Sequence, residues 1–100
     1  MVGKRAAMEK HELDAAIVTL IDECAWHFDN VDRYNELKDE FQRREREIVR
    51  PIGERLHQAG GFELMQQVYR QVEATTLRLC GKGCRSALDM KWDGIGDWRG

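Results

Sequence analysis

Two pairs of residues, Cys24-x-x-His27 and Cys80-x-x-x-Cys84, carry the clearest chemical potential, because spacings of three and four put both members of a pair on one helix face. Together Cys24, His27, Cys80 and Cys84 would supply the thiolates and imidazole of a tetrahedral zinc site. Packing gives the thiols a simpler role. Cys24 falls in the middle of one apolar helix arc and Cys80 at the edge of another, where a free cysteine serves as a small apolar residue. Cys84, close to Lys82 and Arg85, has the local positive charge that favours a reactive thiolate.

Other constellations ask for more than the chain around them provides. Glu54-Arg-Leu-His57 has the spacing with which helix bundles hold carboxylate-bridged iron or manganese, yet both residues lie roughly 130° or more from the centre of their helix's apolar stripe. Glu9-x-x-Glu12 and Glu36-x-x-Asp39 match the letters of the magnesium site in all-helical nucleotide pyrophosphohydrolases, but Glu36 and Asp39 oppose the apolar side of their helix, away from any shared pocket. Ser86 is the only serine and has no histidine near it in sequence, and Gly81-Lys82-Gly83 lacks the full spacing of a phosphate loop. The arginines of FQRRERE, Arg43, Arg44 and Arg46, are interrupted by Glu45 and Glu47 and have no stacking aromatics among them, so nucleic acid is not the expected partner. With 16 Lys and Arg against 18 Asp and Glu, no net positive field exists to draw DNA or an acidic membrane.

The elements that must position these residues read as helices throughout. Leu13, Ala16, Ile17, Leu20, Ile21, Cys24 and Phe28 recur at steps of three and four and predict a first helix over 11–28. Asp29 or Asn30 can cap a second helix with the stripe Tyr34, Leu37, Phe41, Ile48, Ile52 and Leu56. Pro51, which lacks an amide donor, should kink it near 49–51. Gly60 suits the left-handed residue that ends this helix, and Gly61 the tight turn before a third. That third helix buries Phe62, Met65, Val68, Tyr69, Val72, Thr76, Leu79 and Cys80, and Gly81 and Gly83 stop it. A short fourth segment over 86–92 comes next. The expected architecture is therefore an all-α bundle of three principal helices plus a short fourth, one domain over 1–100, flexible over 1–10.

Three stretches, IGERL at 52–56, GGFELMQQVY at 60–69 and WDGIGDW at 92–98, resemble a group of small uncharacterised bacterial helical proteins, several of them carried on integron gene cassettes. The resemblance covers under half of the chain, and the closing motif is its most specific part. It implies a small helical fold and horizontal transfer, and no activity.

The chain has more large apolar groups than one helix face can hide. Trp26 lies roughly 160° from the centre of the first helix's stripe, on the side of Ala15 and Val18. A second cover over that side would come from the tail, with Trp92, Ile95 and Trp98 in an irregular strap over 92–100, or from a second copy of the chain. The expected function is accordingly an interaction protein and not an enzyme. It would be a homodimer binding a partner protein through an apolar helical surface, with Ala15, Val18, Trp26, Trp92, Ile95 and Trp98 at its interfaces and no cofactor. The alternative is a metal-dependent hydrolase or oxidase of the helical type, and after it a DNA-binding regulator. Three cysteines without framework spacing, no stretch of spanning length and no apolar run after the basic start are the signs of a cytoplasmic protein without a membrane segment.

Overall fold

The computed structural model describes residues 7–98, and these are all-helical, with no strand among them. Helix α1, Lys10–Asn30, is succeeded by a 3₁₀ turn at Val31–Arg33 and by the short helix α2, Lys38–Arg44. A π-helical turn, Glu45–Val49, joins α2 to the long helix α3, Arg50–Cys80, and a 3₁₀ turn at Asp89–Trp92 leads into the closing residues. The flexible start expected over 1–10 falls largely outside the described residues. Of its end, Met8 packs on the core and the Ala7 carbonyl accepts from Arg55 at 3.0 Å.

Ion pairs fix the direction of the helices. Glu12 meets Arg55 and Glu23 meets Arg44, each at 2.9 Å, so α1 runs antiparallel to the stretch from α2 through the first part of α3. Gly61, with φ 68° and ψ −159°, divides α3 in two. The second part carries the chain back along α1 until Lys82 lies over the Phe28 ring at 5.6 Å. The two glycines take the reverse of their expected roles: Gly61 has the left-handed φ, while a Cβ on Gly60 would stand 2.7 Å from that of Leu64. Gly81, at φ 71°, ends α3 with its amide donating to the Leu77 carbonyl.

The second apolar stripe is shifted from its expected register. Phe41, Val49, Gly53 and Leu56 are buried, whereas Ile48 and Ile52 are half-buried and Tyr34 is exposed. The π turn explains the shift: its Arg50 amide donates to the Glu45 carbonyl five residues back, which adds one residue to a turn and rotates the helix beyond it by about 100°. It sits just before Pro51, whose missing amide hydrogen would break a regular ladder. Nor does Asn30 cap a second helix. Its side-chain amide donates to the Trp26 carbonyl at 2.8 Å and so closes α1 from behind.

Trp26 finds its cover within the chain, but not from the tail. The Phe41 ring meets it edge-on at 4.6 Å between centroids, and the Arg44 guanidinium lies 4.1 Å above it. The closing residues pack elsewhere. Trp92 is fully buried against the first part of α3, where its Nε1 donates to the Val49 carbonyl at 2.9 Å, and Ile95 and Trp98 are buried with it. The indole occupies the space of a missing side chain, since a Cβ on Gly53 would stand 2.5 Å from Trp92 Nε1.

An alanine normally stabilises a helix by about 1 kcal/mol over glycine. Gly53→Ala should do the reverse and lower the stability by roughly 1–3 kcal/mol, because the added methyl overpacks the indole. Urea denaturation reads the sign directly, and a stabilised variant would show that Trp92 is not held there.

Candidate functional site

The second part of α3 buries Met65, Val68, Val72 and Thr76, which recur at helical spacing and face α1 and the tail. Phe62 and Tyr69, seven residues apart, stand two turns from each other at the edge of that stripe, about 10 Å along the axis. Trp98 reaches both. Its ring centroid is 5.5 Å from that of Phe62 and 5.8 Å from that of Tyr69, and Trp92 supports it from behind, edge-on at 5.2 Å. The three rings line an open groove of about 350 Å³ between α3 and the strap.

Polar groups complete the lining. Gln66 and Arg70 come from the same face of α3, and Glu73 and Asp89 place carboxylates at one side. Glu73 accepts from the Tyr69 hydroxyl at 3.2 Å, and Asp89 Oδ1 accepts from Trp98 Nε1 at 3.0 Å. Burial first, and then the negative surroundings of Cys84 and Glu73, push the Tyr69 hydroxyl well above its ordinary range, so it stays protonated and donates. The groove thus joins an apolar floor to a few fixed polar groups, the composition of a ligand-binding cleft. Trp98 is 6% exposed and Phe62 37% exposed, so the floor is closely packed and one wall faces solvent.

The residues picked from the sequence are scattered by comparison. Ala15 is exposed and Val18 is 57% exposed on the outer side of α1, while Trp26 is half-buried under α2 and Trp92, Ile95 and Trp98 are interior. The last three therefore contact this chain's own helices and are not free as an outer interface, Trp98 alone lining the groove. Cys24 and Cys84 are brought together, both buried and hydrogen-bonded, and that bond, then burial, pushes the Cys24 thiol up. Cys80 is exposed, because the last turn of α3 with Leu77 and Leu79 extends beyond the packed stripe. The four candidate zinc ligands do not converge. Among the described residues no group of three or more His, Cys, Asp or Glu is placed to hold a metal ion. Cys84, expected to be the reactive thiol, is sealed in the core, and Cys80 is the accessible one.

His57 faces the strap, with Gly96 backbone where any side chain would strike its imidazole, and Glu54 is exposed one turn earlier. Glu12 pairs with Arg55 and Glu36 with Arg33, far from a common pocket. Arg43 pairs with Glu40 and Glu47, Arg44 with Glu40 and Glu23, and Arg46 with Glu47. The Arg43 guanidinium, and after it Arg44, holds the Glu40 carboxyl down at about 2. Ser86 lines a second groove of about 360 Å³ together with His27 and Lys91. There Lys91 Nζ stands 3.3 Å from His27 Nδ1, and burial, then the Lys91 charge, lowers the imidazole to about 4. His27 is only 8% exposed and one ring nitrogen is taken, so it offers a ligand little. Sequence reasoning put Phe62 and Tyr69 in the core and passed over Glu73 and Asp89. A Phe, a Tyr and a Glu at spacings of seven and four were the available sign.

Searches of protein-family models, curated proteins and solved structures find no match to this chain.

These burials make two outcomes measurable. A thiol reagent such as dithiobisnitrobenzoate should modify one cysteine, Cys80, fast in the native protein and the other two only on unfolding, and Cys80→Ser should remove the fast phase; a fast phase that survives would refute the buried pair. His27 binds its proton less readily folded, near pH 4, than unfolded, near 6.5. Its contribution to stability is therefore whole above pH 6.5 and is lost as the pH falls from 6.5 towards 4, on the order of 3 kcal/mol in all. Denaturation midpoints of wild type and His27→Gln should diverge above pH 6.5 and converge below 4; parallel pH profiles would contradict it.

Proposed function

We propose that this chain is an interaction protein, not an enzyme, and that it receives a segment of a partner protein in the groove between α3 and the strap. The observation that carries this is the set of three aromatic rings, two of them on one rigid helix face and one locked by the tail, around an open cleft. Aromatic side chains held in place beforehand lose little freedom on binding and are the groups that dominate interface energies. A metal-dependent helical enzyme has less support, its candidate ligands coming together at most in pairs among the described residues. A DNA-binding regulator has less too, since Arg43, Arg44 and Arg46 are neutralised by carboxylates of this chain.

One copy of the chain suffices for such a site. The second cover over Trp26, which motivated the homodimer, is supplied by Phe41 and Arg44. Apolar groups are exposed on the Ala15 and Val18 side of α1, beside the exposed Asp14 and Asp22, and separately at Leu77, Leu79 and Met90. No described helix is long and apolar enough to cross a membrane, and three free cysteines support a cytoplasmic setting.

Kinship with the integron-cassette group belongs to the same proposal. The three stretches that resemble it meet in one place: Gly53 and Leu56 lie in the first, Phe62, Gln66 and Tyr69 in the second, and Trp92 and Trp98 in the third. The resemblance would then describe the groove and its support.

Selection from a random peptide library on the immobilised protein tests the proposal. Enriched peptides should lose binding by at least about tenfold to Phe62→Ala, which removes a groove wall, and keep it with Val18→Asp on the far side. Failure to enrich any peptide, or binding insensitive to Phe62, would overturn it.

A further inference from the structure

The second groove, about 360 Å³ between α2 and the closing 3₁₀ turn, shares no lining residue with the first and has an amine nucleophile on its wall. Lys91 lines it with His27 and Phe41, and these two place its Nζ, at 3.3 Å from His27 Nδ1 and 5.8 Å from the Phe41 ring centroid. An ammonium has only donors, so Nδ1 is the acceptor. The backbone behind the amine is held as well, since the Lys91 carbonyl accepts from Arg50 Nη1 at 2.8 Å and the next residue is the fully buried Trp92. Lys91 makes no ion pair among the described residues, whereas Lys10 has Asp14 at 2.7 Å.

An amine so placed loses water without a carboxylate in contact, which favours its neutral, nucleophilic form. Burial lowers the Lys91 ammonium from the usual lysine range; Glu45 and Glu23 oppose the shift and Arg44 adds to it. Two other neighbours carry no charge near neutral pH. The Cys24 thiol is held protonated by its bond to Cys84, and the His27 imidazole, at about 4, is unprotonated. A lysine desolvated in a pocket or set beside another cation is the kind that condenses with carbonyl compounds. Tyr34, Phe41 and Met90 on the same lining give such a compound an apolar wall.

We infer that Lys91 is a covalent capture site for an aldehyde with an apolar body, held as an imine in the groove between α2 and the closing turn, with His27 keeping the amine in place. The amine nitrogen bonds to the aldehyde carbon while the C=O π pair passes to oxygen. Both nitrogen hydrogens then move to that oxygen by way of solvent, the C–O bond breaks, and one water leaves as C=N forms. Nothing is oxidised or reduced, and the capture is reversible.

Incubation of the native full-length chain with hexanal, with cyanoborohydride present to reduce and trap imines, tests the site by peptide mapping. Near neutral pH, Lys91 should be alkylated about tenfold faster than the exposed Lys10, Lys38 and Lys82. Its rate should also level off at a lower pH than that of Lys38. Lys91→Arg, which keeps the positive charge, should remove the fast adduct and leave the slow ones. Alkylation of Lys91 no faster than that of the three exposed lysines would overturn the proposal, and so would a fast adduct that survives Lys91→Arg. Faster trapping of the anionic aldehyde glyoxylate than of hexanal at Lys91 would overturn the apolar class of ligand. The wild-type mapping stands without the variant, and none of these outcomes depends on the partner groove.

Discussion

Trp92 stands where a side chain on residue 53 would be, and its Nε1 donates to the Val49 carbonyl just past a change of helical period. This contact ties the tail to the place where α3 begins. The indole gives the π turn a buried partner, and the π turn brings Val49 and Gly53 into line with Phe41 and Leu56 on the packed side. Without glycine at 53 the ring could not approach, and without the indole the space over Gly53 would be left unfilled. Since burying a large aromatic contributes a few kcal/mol and a small domain has only about 5–15 in all, the tail is part of the fold and not an appendage to it.

Support passes from that contact to the groove. Trp92 holds Trp98 edge-on, Trp98 meets Phe62 and Tyr69, and a bifurcated hydrogen bond from Trp98 Nε1 to the Asp89 carbonyl and carboxylate fixes the ring's turn. A floor locked on several sides can bind without first being ordered, which is where small sites usually lose affinity. The same economy marks the rest of the surface. The arginines of α2 and the π turn are engaged by acids of their own helix or of α1, so they hold elements together, and Arg44 also covers Trp26.

Much of this was legible in the sequence, for local reasons. The absence of Gly and Pro over residues 4–50 and the three-four spacing of Leu13 to Phe28 point to α1, and the core positions Ile17, Leu20 and Cys24 are on that arc. Met65, Val68, Val72 and Thr76 are likewise where periodicity puts them. Helical character depends on composition and spacing within a few turns, which one chain displays openly. Glycine at 81 marks its helix end because only the left-handed conformation is at issue there.

The candidate site was not legible, and its residues show why. Phe62 and Tyr69 fit an apolar arc equally well whether they face the core or its edge, and only the position of the tail decides. Cys84 has basic neighbours in sequence, but its surroundings in space are Cys24 and Tyr69. The register of Val49 and Gly53 depends on one residue inserted in a π turn, a change that propensity does not record and that is held by an indole 43 residues away. By itself the sequence determined an all-helical chain with its main apolar faces, since those depend on neighbours three and four apart. Tertiary structure alone decided which side of each face meets the tail, because that depends on contacts between residues distant along the chain.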